Sequence, residues 1–312
     1  MKLHSEQELF KALILQTERT SGLSSDILEK DYYVTLTLNE LSLMQDDIKA
    51  YFKGGTALYK AIRHIKRFSE DIDLTVDVAG LSNNQARKRL ERAVYGYSLA
   101  LDKQDGAFSE KRGSITAVYR YESAFFDDSR EELQRYERVL VEATSFTVSE
   151  PVTSYEIAPL IYDLTTSENK KILSQQFGVA PFNIRTIRLE RIFIDKIFAA
   201  EFYYIRNDWF DAAKHVYDIA VLSERESVKQ LFSDGEKLDY MISLKRKEEE
   251  VRKGGISADL RIKDFSYFDG IEGNSEFKEA YQNMQSKYVL NKADYIEIAE
   301  ALRIIRELRE KL

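Results

Sequence analysis

The spacing of apolar residues predicts both helices and strands in the first part of the chain. Apolar positions recur at helical intervals over residues 5–17 and 27–43, and a Ser-Ser-Asp sequence just before the second stretch can cap its helix. Apolar and polar residues alternate over 71–78, 114–121 and 138–147, which is typical of half-buried strands. The pattern therefore indicates a sheet with helices around it.

Further along, residues 82–101 show helical spacing with a basic outer face, and residues 155–161 predict one more strand. Beyond that strand the alternation gives way to long helical periodicity. We therefore expect one domain over 1–175 and a second over 176–312. The predicted fold class is α+β, with a mixed β-sheet and flanking helices in the N-terminal domain and helices alone in the C-terminal domain.

Composition narrows the possible functions. The chain has 312 residues, of which 44% are hydrophobic and 32% are charged, as in ordinary globular proteins. It has no cysteine and only three scattered histidines, which excludes thiol catalysis, disulfides and Cys-based zinc sites. No long uncharged apolar run and no signal-peptide pattern occur, so we expect a cytoplasmic protein without a membrane partner.

The charge distribution bears on nucleic-acid binding. A net charge of −7 argues against general coating of nucleic acid. Basic residues nevertheless cluster locally, as at Lys60, Arg63, Lys66 and Arg67. A selective contact with RNA is compatible with this pattern.

Gly54, Gly55 and Thr56 follow a short apolar run and open a segment with helical spacing. Paired glycines let backbone N–H groups converge on an anion, and a helix start adds partial positive charge. We therefore consider these three residues candidates for phosphate binding. Alone, the same sequence is equally typical of a tight turn with a helix cap.

Two aspartates, Asp71 and Asp73, follow the glycine motif after a short basic segment. In a strand, Asp71 and Asp73 share a face, and paired carboxylates are suitable ligands for Mg²⁺ or Mn²⁺. Ser69 shares that face on the same alternation, so we consider it a nucleotide-binding candidate. Alone, the Asp-x-Asp sequence is typical of the polar face of an edge strand.

Glu142 places one carboxylate within an otherwise apolar strand. A buried carboxylate needs a cation partner, and a metal shared with Asp71 and Asp73 would supply it. The alternative is a glutamate that faces water from an edge strand.

The two motifs in this order are more specific than either alone. Gly-Gly-Thr at 54–56, followed by Arg-Phe-Ser-Glu-Asp-Ile-Asp-Leu at 67–74, resembles the opening motif of the nucleotidyltransferase superfamily. The residues of these motifs are similar to those of the AbiEii/AbiGii branch, the enzyme half of type IV bacterial toxin–antitoxin pairs. The resemblance implies a nucleotidyltransferase-type N-terminal domain, and it favours Glu142 as a third acidic metal ligand.

The second half carries a weaker likeness to the same family. Lys196 and Asp218 match a lysine and an aspartate of the family pattern, which implies catalytic roles for both. Lys196 would neutralise the leaving pyrophosphate, and Asp218 would orient Lys196 or Arg206 or assist the incoming hydroxyl. Where relatives often show Arg-Asp-Leu-Tyr-Asp, this chain has Lys214 and His215 at the first two positions.

A structural reading of the second half is also open. Lys214 and Asp218 are four residues apart and share a helix face, so they could simply form a salt bridge. Lys196 could likewise pair with a neighbour on the helix surface.

Taken together, the resemblance implies a Mg²⁺-dependent enzyme that transfers a nucleoside monophosphate from an NTP to RNA, such as a tRNA 3′ end. The active site would lie between the two domains, with Gly54, Gly55, Thr56, Ser69 and Arg206 binding the nucleotide. The family resemblance also implies an antitoxin encoded nearby and a role in phage defence by abortive infection. The alternatives are an aminoglycoside-type nucleotidyltransferase that modifies a small molecule and a non-enzymatic interaction protein.

Overall fold

Apolar stripes and capping residues determine where the helices of the chain begin and end. The computed structural model describes residues 1–63, 66–104, 107–111, 113–125, 137–252 and 254–312. The chain forms two compact units. The first unit consists of Met1–Ala61, Glu70–Ser145 and Val152–Thr186. The second unit consists of Ile62–Ser69, Phe146–Pro151 and Ile187–Leu312. The boundary between 175 and 176 stays a prediction.

The described part of the first unit contains six α-helices: α1 Gln7–Ser21, α2 Ser25–Ile48, α3 Gly54–Lys60, α4 Asn83–Val94, α5 Leu160–Asp163 and α6 Ser167–Phe177. Glycines in the left-handed region end α1 and α6, as expected for helix C-termini. A capping box formed by Ser82 and Gln85 starts α4. The continuous burial of Leu28–Leu38 shows that α2 runs through the core.

The first unit also contains an eight-stranded sheet. Its strands are β1 Ala50–Lys53, β2 Ile72–Val76, β3 Ala100–Leu101, β4 Phe108–Lys111, β5 Ser114–Arg120, β6 Arg138–Thr144, β7 Val152–Ile157 and β8 Phe182–Ile187. The order is β3-β5-β6-β2-β1-β8-β7, and β4 pairs with β5. The pairs β2–β6 and β1–β8 are parallel, whereas β1–β2 and β5–β6 are antiparallel. The predicted mixed sheet is therefore confirmed.

Among the residues of the second unit that the structure describes there are seven α-helices: α7 Leu189–Tyr204, α8 Trp209–Ser223, α9 Glu226–Ser233, α10 Gly235–Val251, α11 Tyr267–Gly270, α12 Ser275–Tyr288 and α13 Ile298–Arg309. The predicted fold class is confirmed, with a mixed sheet and helices followed by a helical part. In the described ranges no helix combines the length and the apolar character needed to cross a membrane.

Some predicted elements were wrong in detail. The helix expected over 82–101 ends at Val94, because the chain turns at Gly96, which has φ 98°. The strand expected over 155–161 ends at Ile157, and Pro159 then caps the short helix α5. Arg206, a predicted nucleotide-binding residue, lies in the short segment between α7 and α8.

Candidate active site

Gly54 and Asp73 bring the two motifs of the first unit together. β1 ends at Lys53, and Gly54 takes the left-handed conformation with φ 78°. A Cβ atom on Gly54 would lie 2.0 Å from Oδ2 of Asp73 and 2.9 Å from its Cγ. The carboxylate of Asp73 therefore lies against the Cα atom of Gly54, at a distance that only glycine permits.

The strand register extends this contact into a row of polar side chains. Lys53 pairs with Asp73, Asp73 with Glu142, and Glu142 with Thr116. Residues paired in register lie on the same face of a sheet, and all four residues are half-buried. We call Lys53, Asp73, Glu142 and Thr116 the polar row.

The same face continues with polar residues. One step along the strands lie Tyr51, Thr75, Thr144 and Ser114, again paired in register. The alternate positions, including Phe52, Leu74 and Ala143, are fully buried in the core. The central strands are therefore polar on one face and apolar on the other, and Asp73 and Glu142 share the polar face.

In the second unit, Asp218 is the centre of a buried ionic cluster. Both its oxygens accept hydrogen bonds from Arg67, at 2.7 Å from Nε and 2.7 Å from one terminal nitrogen. Nζ of Lys196 lies 3.0 Å from Oδ2 of the same carboxylate. Asp218 is 0% exposed, Arg67 4% and Lys196 5%. A bidentate arginine and a lysine thus satisfy one fully desolvated carboxylate.

These cations also determine the protonation state of the cluster. Burial alone would raise the pKa of Asp218, but the charges of Arg67 and Lys196 outweigh it and hold that pKa below its usual range. Burial and the charge of Lys196 lower the pKa of His215 well below its usual value. Asp218 is therefore ionised and His215 neutral at physiological pH.

Comparison with known proteins gives the family. The sequence profile described as "Nucleotidyl transferase AbiEii toxin, Type IV TA system" matches residues 36–306. The chain belongs to the AbiEii nucleotidyltransferase toxin family. It is thus a nucleotidyltransferase toxin of a type IV toxin–antitoxin system, and this membership implies a cognate antitoxin.

Comparisons with curated proteins and with solved structures add no further evidence for the family. No curated protein matches the chain. Among solved structures, MenT4, a nucleotidyltransferase toxin from Mycobacterium tuberculosis H37Rv, is 12% identical, with a TM-score of 0.35 over 96% of this chain and 97% of that chain. Membership in the AbiEii family rests on the sequence profile.

The residues predicted from the two N-terminal motifs of this AbiEii protein differ in their surroundings. Asp71 is exposed and directly precedes β2, so it is not a strand residue as expected. Ser69 is half-buried, lies outside β2 and belongs to the second unit, so strand alternation does not place it beside Asp73. Gly55 and Thr56 are buried in α3. The functional roles of all these residues stay predictions.

The carboxylates of the first unit can be tested as ligands of a divalent metal. Among the residues that the structure describes, no three His, Cys, Asp or Glu side chains converge. Mg²⁺ in phosphate-transfer sites is commonly held by one or two carboxylates together with substrate phosphates. Asp73 and Glu142, neighbours on one face, match that donor set, and Asp71 adds an exposed carboxylate close in sequence.

Two structural interpretations of the second half were wrong. Nζ of Lys214 lies 2.6 Å from Oδ1 of Asp211 and over the rings of Phe210 and Tyr288, whereas Asp218 pairs with Arg67 and Lys196. Lys196 is buried, so its pair with Asp218 is not a surface salt bridge.

Arg206 and His215 make contacts of their own and do not bind Asp218. The guanidinium of Arg206 donates to the carbonyls of Phe202 and Gly254, both at 2.6 Å. Asp218 is therefore bound by Arg67 and Lys196 and not by Arg206. His215 stacks on Tyr203, and its Nδ1 has no hydrogen-bond partner among the described residues.

Arg67 is the residue of this cluster that the sequence reasoning missed. Its segment is held by backbone pairing: Phe68 donates to the carbonyl of Tyr288 at 2.7 Å, and Leu290 donates to that of Lys66 at 3.1 Å. The only sequence signal for Arg67 is its place as the first residue of the Arg-Phe-Ser-Glu-Asp-Ile-Asp motif. Because Asp218 lies 151 residues away, no local spacing connects the two.

Lys30 and Asp31, close to the start of the family's matched region, have structural partners. Nζ of Lys60 lies 2.7 Å from Oδ1 of Asp31, whose other oxygen accepts the N–H of Leu160 at 2.7 Å. Lys30 is buried, and its Nζ lies 3.8 Å from Oε2 of Glu70. These contacts tie α2 to α3, to α5 and to the residue that precedes Asp71.

Proposed function

We propose that this AbiEii protein is a cytoplasmic, metal-dependent enzyme that transfers a nucleoside monophosphate from an NTP to RNA, with a tRNA 3′ end as the first candidate acceptor. The observation that carries the proposal is the approach of Asp73 to Gly54, with Glu142 beside Asp73 on the same face. It joins a glycine turn to paired carboxylates, as nucleotidyl transfer requires. Family membership supports the reaction class.

Asp73 and Glu142 would hold Mg²⁺, or Mn²⁺ in its place, together with phosphate oxygens of the substrate, and Asp71 stays a predicted third ligand. When bound, the metal would supply positive charge to the phosphates and orient them for in-line attack. The carboxylates themselves position that charge and leave little covalent chemistry to the protein. Because Gly54 lacks a side chain, the carboxylate of Asp73 can lie directly beside the glycine turn.

Gly54, Gly55 and Thr56 would bind the triphosphate. Thr56 is 0% exposed, so neither its hydroxyl nor its N–H lies at the surface. Ser69 and Arg206 remain proposed nucleotide-binding residues on the family resemblance alone.

Lys196 and Asp218 would act as one unit in the same reaction. The ammonium of Lys196 would neutralise the charge of the leaving pyrophosphate. Asp218 would position that ammonium, since it accepts from Lys196 at 3.0 Å. The fork from Arg67 keeps Asp218 ionised and fixes its orientation, so Arg67 supports Lys196 through Asp218.

The decisive experiment incubates the protein with each α-labelled ribonucleoside triphosphate, Mg²⁺ and total cellular RNA. We expect label in RNA with one or more of the nucleotides, and none with EDTA or with Asp73→Asn. A parallel reaction contains aminoglycosides in place of RNA. Label in the small molecule alone would favour the alternative enzyme class, and no transfer to either acceptor would overturn the proposal.

The toxin role makes a genetic prediction. If the chain acts in abortive infection, its expression should stop growth, and a protein encoded in the adjacent reading frame should relieve the arrest. Asp73→Asn should abolish toxicity at equal protein level. Growth arrest by that variant would separate toxicity from nucleotidyl transfer.

A further inference from the structure

Lys53 is the member of the polar row that neither motif explains. It ends β1 and precedes Gly54, and its side chain is half-buried on the face that carries Asp73 and Glu142. Its ammonium forms no hydrogen bond or ion pair with any residue in the described part of the chain. A half-buried lysine whose ammonium has no protein partner can offer that charge to a bound ligand.

The position of Lys53 determines what such a ligand can be. Neighbouring strands are about 4.8 Å apart, and a lysine side chain is longer than that spacing. Lys53 flanks Asp73 on one side, and Glu142 flanks it on the other. The ammonium therefore lies within reach of any group bound at Asp73 or at Gly54, and its positive charge favours an anionic ligand.

We propose that Lys53 is a phosphate-binding residue, which contacts the β- or γ-phosphate of the nucleotide. This inference rests on the proposed function, because it assigns a ligand to the same site. A triphosphate that approaches Asp73 and Glu142 meets two like charges, and a divalent ion that neutralises these two carboxylates leaves the negative charge of the triphosphate itself without a counter-charge. A compact ammonium next to the glycine turn supplies a further positive charge where the phosphates bind.

A purely electrostatic role within the row is the main alternative. In that case Lys53 would only offset the charges of Asp73 and Glu142. The two roles differ in what they predict for nucleotides of different phosphate number. A phosphate contact discriminates a triphosphate from a monophosphate, whereas a background charge acts on the metal and on the fold.

The test compares Lys53→Gln and Lys53→Arg with wild type and with Lys49→Gln. Lys49 is a half-buried lysine that follows α2, so its substitution removes the same charge outside the polar row. Fluorescent analogues of each ribonucleoside tri- and monophosphate are titrated with Mg²⁺ present, and binding of Mn²⁺ without nucleotide is followed by electron paramagnetic resonance. Thermal unfolding of every variant is recorded.

We expect Lys53→Gln to weaken triphosphate binding by about tenfold or more and monophosphate binding by less than about threefold. Mn²⁺ binding should be unchanged or tighter, because a neighbouring positive charge has been removed. Lys53→Arg should retain part of the triphosphate affinity, and Lys49→Gln should behave as wild type.

The other outcomes are distinguishable. Equal loss of tri- and monophosphate affinity, or no loss at all, would overturn the assignment of Lys53 while leaving the proposed function intact. The assignment would also be overturned if Lys53→Gln left the ratio of triphosphate to monophosphate affinity unchanged, even if Lys53→Arg bound the triphosphate well. If wild type binds no triphosphate with Mg²⁺, the proposed function fails first, and the role of Lys53 fails with it.

Discussion

Oδ2 of Asp73 lies so close to Gly54 that a Cβ atom on that glycine would be 2.0 Å from it. The carboxylate and the glycine turn thus occupy adjoining space, and neither can change without the other. This relationship connects a backbone conformation to the placement of a proposed metal ligand. It makes Gly54 a sensitive position for testing the site.

Gly54→Ala should abolish transfer. The added methyl group must displace the carboxylate of Asp73, and an alanine at φ 78° is strained by about 1–2 kcal/mol. Gly80→Ala is the matched control, because Gly80 has φ 74° and nothing within 4 Å of an added Cβ. We expect similar losses of unfolding free energy from backbone strain in both, but lost activity only in Gly54→Ala. Equal activity would show that the position of Asp73 does not matter for catalysis.

Substitution of the three carboxylates should lower activity in every case but should affect stability differently. Asp71→Ala should leave the thermal midpoint of unfolding unchanged, because Asp71 is exposed. Asp73→Asn and Glu142→Gln should shift that midpoint, because both side chains are half-buried. Each should lower turnover, and Mn²⁺ binding should weaken in parallel. Asp77→Asn is the control, since Asp77 follows β2 and accepts the N–H of Ala79 at 2.9 Å. Full activity in Asp71→Ala or Asp73→Asn would remove the metal assignment.

Asp218→Asn should destabilise the protein strongly. The substitution leaves Arg67 and Lys196 buried without their counter-charge, a change that typically costs about 3–5 kcal/mol. Arg67→Met should also destabilise, and the double variant should lose less than the sum of the single losses. Glu224→Gln, in an exposed pair with Lys229, is the control and should leave the unfolding free energy unchanged. Additive losses at Arg67 and Asp218 would contradict their coupling.

Acid should remove the contribution of Asp218. The folded-state pKa of this carboxyl is lowered, so its stabilisation is complete above the unfolded pKa of about 3.9 and is lost as the pH falls below it. The difference in unfolding free energy between wild type and Asp218→Asn should stay constant at neutral pH and shrink by about 1 kcal/mol at pH 3. Urea unfolding at several pH values measures this. A difference that stays constant into acid would contradict the lowered pKa.

Lys196→Ala should slow turnover by about two decades or more, on the order of 3 kcal/mol of barrier, if its ammonium meets the leaving group. Because Lys196 is 5% exposed and contacts Asp218, the same variant should also lose stability. Turnover must therefore be expressed per folded molecule. Lys196→Arg should restore only part of the rate, because a planar guanidinium does not replace a compact ammonium. Wild-type turnover in Lys196→Ala would confine the chemistry to the first unit.

Local patterns were sufficient to predict the elements around the proposed metal site. Alternation at 71–78 predicted β2, and the strand at 138–147 predicted β6 with Glu142 on its polar face. The register that makes Asp73 and Glu142 neighbours depends on the pairing of two parallel strands far apart in sequence. A single sequence contains no signal for that pairing.

Other parts of the structure depended on distant contacts or on single residues. The fork between Arg67 and Asp218 connects a loop to α8, and neither residue has a periodic context that indicates its partner. The end of α4 and the start of α5 are set by Gly96 and Pro159, which interrupt patterns that otherwise continue. In these cases tertiary contacts or a single turn residue outweigh periodicity.

The placement of Ile62–Ser69 in the second unit has a consequence for how this protein can evolve. A single recombination event near residue 186 would exchange α7–α13 and keep Arg67, so the hybrid would bury this arginine opposite a foreign helix. A donor without an aspartate equivalent to Asp218 would leave Arg67 buried without its counter-charge and would destabilise the hybrid. The two units must therefore be inherited together or change in step, although most of the first unit precedes the second in the chain.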